Sequence, residues 1–138
     1  MNRTILMLEH DDDDRYITQA VFDEGNVDVS LEFVTNSQDL LNHLQASKAR
    51  RTALPSLILL NYHTYPLSAS EVLKTLKADP ALGHIPVVVL SGSVRPDIVQ
   101  ECYASGASSF IQKPSSSGET NAKITNFIRY WFETVELA

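Results

Sequence analysis

Short apolar stretches alternate along the chain with longer stretches in which apolar residues recur every three or four positions. The short stretches are typical of β-strands, and the longer ones are typical of helices with one buried face. Three of the predicted strands are almost wholly apolar, as expected for a parallel sheet that helices cover on both faces. The predicted strands are residues 4–8, 31–34, 57–60, 86–90 and 109–112.

Each predicted strand is followed by a predicted helix. Asn36 or Ser37 can cap the second helix, and Ser68 and Glu71 have the spacing of a capping box at the start of the third. The other helices are predicted at residues 13–24, 97–105 and 119–135. Alternating βα units imply right-handed crossovers and an α/β doubly wound parallel sheet, in which ligands bind beyond the carboxyl ends of the strands.

Composition limits the classes of function. The 138 residues suit one domain spanning residues 1–138, and the net charge of −6 argues against broad nucleic-acid binding. Cys102 is the only cysteine, so no intrachain disulfide can form, and no apolar stretch is long enough to span a membrane. We expect a cytoplasmic protein that binds neither membranes nor nucleic acid. The sequence has no glycine-rich phosphate loop and no G-x-S-x-G elbow, so we expect no enzyme activity.

Polar side chains follow the predicted strands at the points where a ligand would bind. Carboxylates hold hard divalent cations, a lysine neutralises phosphate charge, and a hydroxyl donates a hydrogen bond. A pocket with these groups would suit a phosphoryl group and Mg²⁺. The candidate pocket residues are Glu9, His10, Asp11, Asn61, His63, Ser91 and Lys113.

Four segments in order resemble a response-regulator receiver domain, and the resemblance covers nearly all of the chain. The segments are residues 5–9 (ILMLE), 54–60 (LPSLILL), 85–91 (IPVVVLS) and 106–114 (GASSFIQKP). The resemblance implies a flavodoxin-like doubly wound (βα)5 three-layer sandwich, with a five-stranded parallel sheet in the order 2-1-3-4-5. It also implies a stand-alone signalling module of a two-component phosphorelay, without an output domain.

The segment at residues 130–137 is similar to small receivers that partner phytochrome-type histidine kinases. The expected partner is therefore a sensor histidine kinase or another signalling protein. A homodimer through the last two helix–strand units is a further expectation from the family.

Several residues depart from the pattern of the family. Asn61 stands where receivers have the aspartate nucleophile, and an amide nitrogen cannot form the acyl phosphate. His10 stands in place of a metal-binding carboxylate, so any Mg²⁺ held by Glu9, Asp11 and the backbone carbonyl of His63 should bind weakly. Further departures are Tyr65, Pro66 and Ala69, whereas the switch positions keep Ser91, Phe110 and Lys113.

Three hypotheses follow. The first is a degenerate receiver that acts by protein–protein binding without phosphorylation, with Asn61 hydrogen-bonded to Lys113. The second is a receiver that remains phosphorylatable or metal-dependent by using Asp11. The third is a metal-binding or structural interaction domain that shares only the fold, in which His10, His63 and Asp11 or Asp12 could bind Zn²⁺ or Ni²⁺. The acidic run at residues 11–14 is alternatively a helix cap.

Overall fold

The computed structural model describes residues 3–24, 29–50, 54–113 and residue 126. Strands and helices alternate through these ranges, as predicted. The elements are β1 (Arg3–Leu8), α1 (Asp12–Glu24), β2 (Val29–Val34), α2 (Ser37–Ala49), β3 (Leu57–Asn61), α3 (Ala69–Ala78), β4 (Val87–Ser91), α4 (Pro96–Ser105) and β5 (Ser109–Gln112). The predicted last helix at 119–135 lies outside the described residues apart from residue 126, and the single domain over 1–138 stays a prediction.

All five strands form one parallel sheet in the order β2-β1-β3-β4-β5, which confirms the predicted fold class. Because successive side chains of a strand point to opposite faces, the apolar strands supply two cores. Leu6, Leu8 and Ile58 face α2, α3 and α4. Ile5 and Met7 face the opposite side, where Phe22 of α1 packs on them. This alternation explains why the central strands are apolar throughout.

The edge strand β2 is longer than predicted and begins at Val29. Its polar residues Ser30 and Glu32 are exposed and alternate with half-buried apolar residues, a pattern suited to an edge strand. β4 ends at Ser91, one residue later than predicted. Ser91 is therefore held in the sheet and its position is fixed by the strand.

Side-chain caps fix the starts of α2 and α3. Asn36 caps α2 by accepting a hydrogen bond from the backbone N–H of Asp39 at 2.8 Å. Ser68 caps α3 by accepting from the N–H of Glu71 at 3.2 Å, as the capping-box spacing predicts. Within the described ranges, every helix is too short or too polar to cross a bilayer.

The end of α4 requires a glycine. Gly106 has a φ of +117°, and its N–H contacts the carbonyls of Cys102 and Tyr103. A Cβ atom at this position would lie 2.6 Å from Cγ of Lys77. Lys77 cannot easily withdraw, because its Nζ donates to the carbonyls of Gly83 at 3.1 Å and Ile85 at 3.2 Å.

We expect Gly106→Ala to lower the free energy of unfolding by on the order of 2 kcal/mol, because it combines a strained φ with this contact. Gly92→Ala is the matched control, since a Cβ there meets nothing within 4 Å; we expect a change within about 0.5 kcal/mol. Urea denaturation measures both variants. Equal losses in the two would contradict the assigned role of Gly106.

Candidate functional site at the carboxyl edge of the sheet

The ends of the parallel strands bring four of the predicted residues together. Asn61 and Ser91 are the last residues of β3 and β4, whereas Glu9 and Lys113 directly follow β1 and β5. These strands lie side by side or close together in the sheet, so their carboxyl ends share one edge.

The carboxylate of Glu9 is the centre of this edge, and its side chain is 0% exposed. One oxygen, Oε1, accepts a hydrogen bond from Nζ of Lys113 at 2.5 Å. The other, Oε2, accepts from Nδ2 of Asn61 at 2.9 Å and from the backbone N–H of Asp11 at 3.3 Å. A buried carboxylate is tolerated where a cation pairs with it and donors satisfy its oxygens, and Glu9 has both.

Asn61 is almost fully buried and faces Glu9 through its amide nitrogen. The nitrogen must be the atom that points to Glu9, because a carboxylate only accepts hydrogen bonds and the amide oxygen cannot donate. The predicted hydrogen bond between Asn61 and Lys113 is wrong, because Nζ of Lys113 donates to Glu9 and Asp14. Glu9 lies between the two residues and binds one with each carboxylate oxygen.

Lys113 joins β5 to the start of α1. Its backbone N–H donates to the carbonyl of Ser91 at 2.7 Å, and its Nζ also donates to Oδ2 of Asp14 at 3.2 Å. Burial disfavours the charge on Lys113, but the hydrogen bonds and charges of Glu9 and Asp14 outweigh burial and raise its pKa above the usual value. Lys113 is therefore a firmly charged ammonium that is already bound to two carboxylates.

The carboxylate of Asp11 caps α1. Its Oδ1 accepts a hydrogen bond from the N–H of Asp14 at 2.9 Å, and this bond keeps the pKa of Asp11 below the usual value. The side chain of Asp11 is exposed. The backbone N–H of Arg15 donates to the carbonyl of Asp11 at 3.1 Å, which is the first hydrogen bond of the helix. Asp11 therefore acts as a helix cap, as one interpretation of the acidic run predicts. Its carboxylate is turned to the helix and not to Glu9, so the geometry does not favour the predicted metal-binding role.

Asp14 is the site residue that the sequence reasoning missed. It contacts Lys113 although it lies five residues after Glu9. A signal was present in the helical spacing, because Asp14 lies four and eight residues before Thr18 and Phe22, which are both buried. Asp14 thus belongs to the inward face of α1, at the end that meets the sheet edge.

The remaining predicted residues surround this centre. Ser91 is fully buried, and its Oγ accepts from the N–H of Ser93 at 3.1 Å. Phe110 is half-buried against the core on the side of α2, α3 and α4. His10 is half-exposed with Nδ1 3.7 Å from Oε2 of Glu9, and His63 is exposed with its ring edge-on to Tyr62.

The resemblance implies a divalent cation at this edge, but the donors present do not fit one. Both oxygens of Glu9 are hydrogen-bonded, and the carboxylate of Asp11 is turned to the helix. Throughout the described ranges, no three His, Cys, Asp or Glu side chains are grouped closely enough to hold a metal ion. The alternative Zn²⁺ or Ni²⁺ site at His10 and His63 is therefore not formed.

In its fold and in several residues of this edge the chain is similar to response-regulator receiver domains of two-component signalling, and comparison with known proteins agrees. No protein-family model matches the chain. The chain is similar to the response regulator Rcp1 of Synechocystis sp., with 27% identity over 136 residues. The aligned region covers 98% of this chain and 92% of Rcp1.

Solved structures of such regulators superpose over almost the whole chain. The phosphorylated cyanobacterial phytochrome response regulator RcpA has a TM-score of 0.91 at 25% identity, with 99% of both chains covered. The Mn²⁺-bound form of Rcp1 has a TM-score of 0.89 at 27% identity, also with 99% of both chains covered. These matches confirm the predicted resemblance to single-domain receivers.

We expect Asn61→Asp to destabilise the domain by about 2–3 kcal/mol near neutral pH when divalent cations are absent. A second carboxylate would then face Glu9, with one ammonium to neutralise both. Like-charge repulsion raises the pKa of the new carboxylate in the folded state. The folded variant therefore binds more protons than the unfolded variant in this pH range. The loss in free energy of unfolding should shrink as the pH falls from about 7 to about 5.

Urea denaturation at a series of pH values measures this effect. Asn42→Asp is the matched control, because it makes the same chemical change at an exposed position of α2. We expect that control to change stability by less than about 0.5 kcal/mol. A deficit in Asn61→Asp no larger than in the control would show that Asn61 does not face a charged Glu9.

Proposed function

We propose that the chain is a receiver module that takes part in a two-component phosphorelay by protein–protein binding and accepts no phosphoryl group. The observation that carries the proposal is the amide of Asn61 at the end of β3, bound to Glu9 at 2.9 Å. Acyl-phosphate formation needs a carboxylate oxygen to attack phosphorus, and an amide offers no such nucleophile. The domain is, on this proposal, a binding module and not an enzyme.

The hydrogen bonds around Asn61 support the same proposal. In the family the hydroxyl and the lysine of this edge contact the phosphoryl group, and here both have partners within the chain. Lys113 is bound to Glu9 and Asp14, and Oγ of Ser91 accepts from its own loop. An incoming phosphoryl group would have to displace the bonds of Lys113 and would meet the negative charges of Glu9 and Asp14.

A receiver that still reacts through Asp11 is the competing proposal, and the geometry disfavours it. The carboxylate of Asp11 is bound at 2.9 Å to the N–H of Asp14 at the start of α1. Reaction of that carboxylate would remove the helix cap and would place a phosphoryl group away from the buried edge residues. No contact of Asp11 favours such a role.

The proposed partner is a sensor histidine kinase or another signalling protein of the cytoplasm. Similarity to RcpA, a phytochrome response regulator, makes a phytochrome-type kinase the first partner to try. The homodimer expected from the family involves the last helix, which is outside the described residues, and it stays a prediction.

Intact mass after incubation with Mg²⁺ and acetyl phosphate tests the proposal. We expect the parent chain to gain no phosphoryl adduct, and Asn61→Asp to gain one, because it restores a carboxylate nucleophile at the end of β3. Asp11→Asn in the Asn61→Asp background is the control, and it should still be phosphorylated. A receiver with an intact aspartate, run in parallel, verifies that the phosphodonor is active.

An adduct on the parent chain that hydroxylamine removes would contradict the proposal, since hydroxylamine cleaves acyl phosphates. Peptide mapping would then identify the acceptor. Loss of that adduct in Asp11→Asn would support the competing proposal in its place.

A further inference from the structure

We infer that the ammonium group of Lys113 is the resident cation of this pocket and takes the place of a divalent metal ion. The folded chain then binds neither Mg²⁺ nor Mn²⁺ at the carboxyl edge of the sheet. This inference concerns the charge balance of the pocket, and it stands apart from whether the chain accepts a phosphoryl group.

The buried charges of the pocket balance without a metal ion. Glu9 contributes one fully buried negative charge, and Lys113 lies 2.5 Å from it with one positive charge. Asn61 is neutral, so the buried part of the pocket carries no net charge. Asp14 adds a negative charge, but its side chain is 46% exposed and water solvates it. No uncompensated buried charge is left for a divalent cation to neutralise.

The oxygen ligands that Mg²⁺ would need are already hydrogen-bonded within the chain. Mg²⁺ requires close to octahedral geometry and prefers carboxylate oxygens as its protein ligands. To reach Glu9, the metal would have to displace both the Lys113 ammonium and the Asn61 amide. The displaced ammonium would remain nearby as a like charge. His10 offers an imidazole nitrogen at this point, and imidazole is a poor ligand for Mg²⁺.

Lys113 is held in the pocket by both its backbone and its side chain. Its backbone N–H is bound to Ser91 at the end of β4, and its Nζ reaches Glu9 after β1 and Asp14 in α1. Lys113 thus connects the end of the edge strand β5 to the segment between β1 and α1. To bind Glu9, a metal ion would have to break the contact between Lys113 and Glu9.

Thermal unfolding with and without MnCl₂ or MgCl₂ tests the inference. We expect no saturable shift of Tm in the parent chain beyond that produced by NaCl of equal ionic strength. Asn61→Asp should show a saturable rise in Tm with MnCl₂ over the range in which the parent shows none, because it adds a second carboxylate to the pocket.

Lys113→Met tests the role of the ammonium directly. We expect Tm to fall by about 5–10 °C, because the buried charge of Glu9 loses its cation. Adding Glu9→Gln to this variant should restore most of the loss, which a purely structural role for the lysine would not predict. Lys48→Met is the matched control. Nζ of Lys48 lies 2.7 Å from Oδ2 of Asp79, so it forms a similar ion pair outside the pocket. Glu9→Gln should not restore the stability that Lys48→Met loses.

Two results would overturn the inference. One is a saturable Mn²⁺ response of the parent chain that Glu9→Gln removes. The other is an equal loss of Tm from Lys113→Met in the presence and absence of Glu9→Gln. A phosphoryl adduct on the parent chain, by contrast, would contradict the proposed function and leave this inference to be decided by the Mn²⁺ titration.

Discussion

A carboxylate that is withdrawn from water needs a cation and hydrogen-bond donors close by, and the side chain of Glu9 is fully withdrawn. Lys113, Asn61 and the backbone of Asp11 meet this requirement from three different parts of the chain. Because these groups lie directly after β5, at the end of β3 and just before α1, satisfying one buried charge also fixes the positions of the strand ends. The carboxyl edge of the sheet is therefore organised around Glu9.

The residue at position 61 controls two properties of this edge at once. An aspartate there would supply a nucleophile and would also place two carboxylates against one ammonium. The excess negative charge is what a divalent cation balances in such a pocket. On the function and the inference proposed above, the amide of Asn61 removes the nucleophile and the excess charge together, so one residue accounts for both the lack of a phosphoryl acceptor and the lack of a metal requirement. The presence of His10 where a carboxylate is expected is consistent with this loss.

Much of the fold could be predicted because the apolar pattern reports burial directly. The strands β1, β3 and β4 are buried on both faces, and their continuous apolar sequences indicated both their positions and the parallel sheet. The apolar pattern misses the first two residues of β2, since an edge strand with alternating polar residues resembles a loop in its first positions. The caps at Asn36 and Ser68 followed from local hydrogen bonding, which depends on near neighbours in sequence.

The sequence predicts which residues lie at this edge better than it predicts the contacts between them. The order of the strands requires Glu9, Asn61 and Lys113 to share an edge, but it does not determine which pairs touch. The predicted Asn61–Lys113 bond overlooked that a buried carboxylate attracts both donors. Among the acids at residues 11–14, only the register of α1 decides that Asp11 caps the helix and that Asp14 faces Lys113.

The closed network of Glu9, Asn61 and Lys113 can be observed most directly by NMR of the ¹⁵N-labelled chain. The side-chain amide signals of Asn61, assigned by their loss in Asn61→Ala, should shift in Glu9→Gln because the hydrogen bond to the carboxylate changes. They should remain in place when Mg²⁺ and acetyl phosphate are added together. Signals that ignore Glu9→Gln, or that move in a saturable way with Mg²⁺ and acetyl phosphate, would contradict the account.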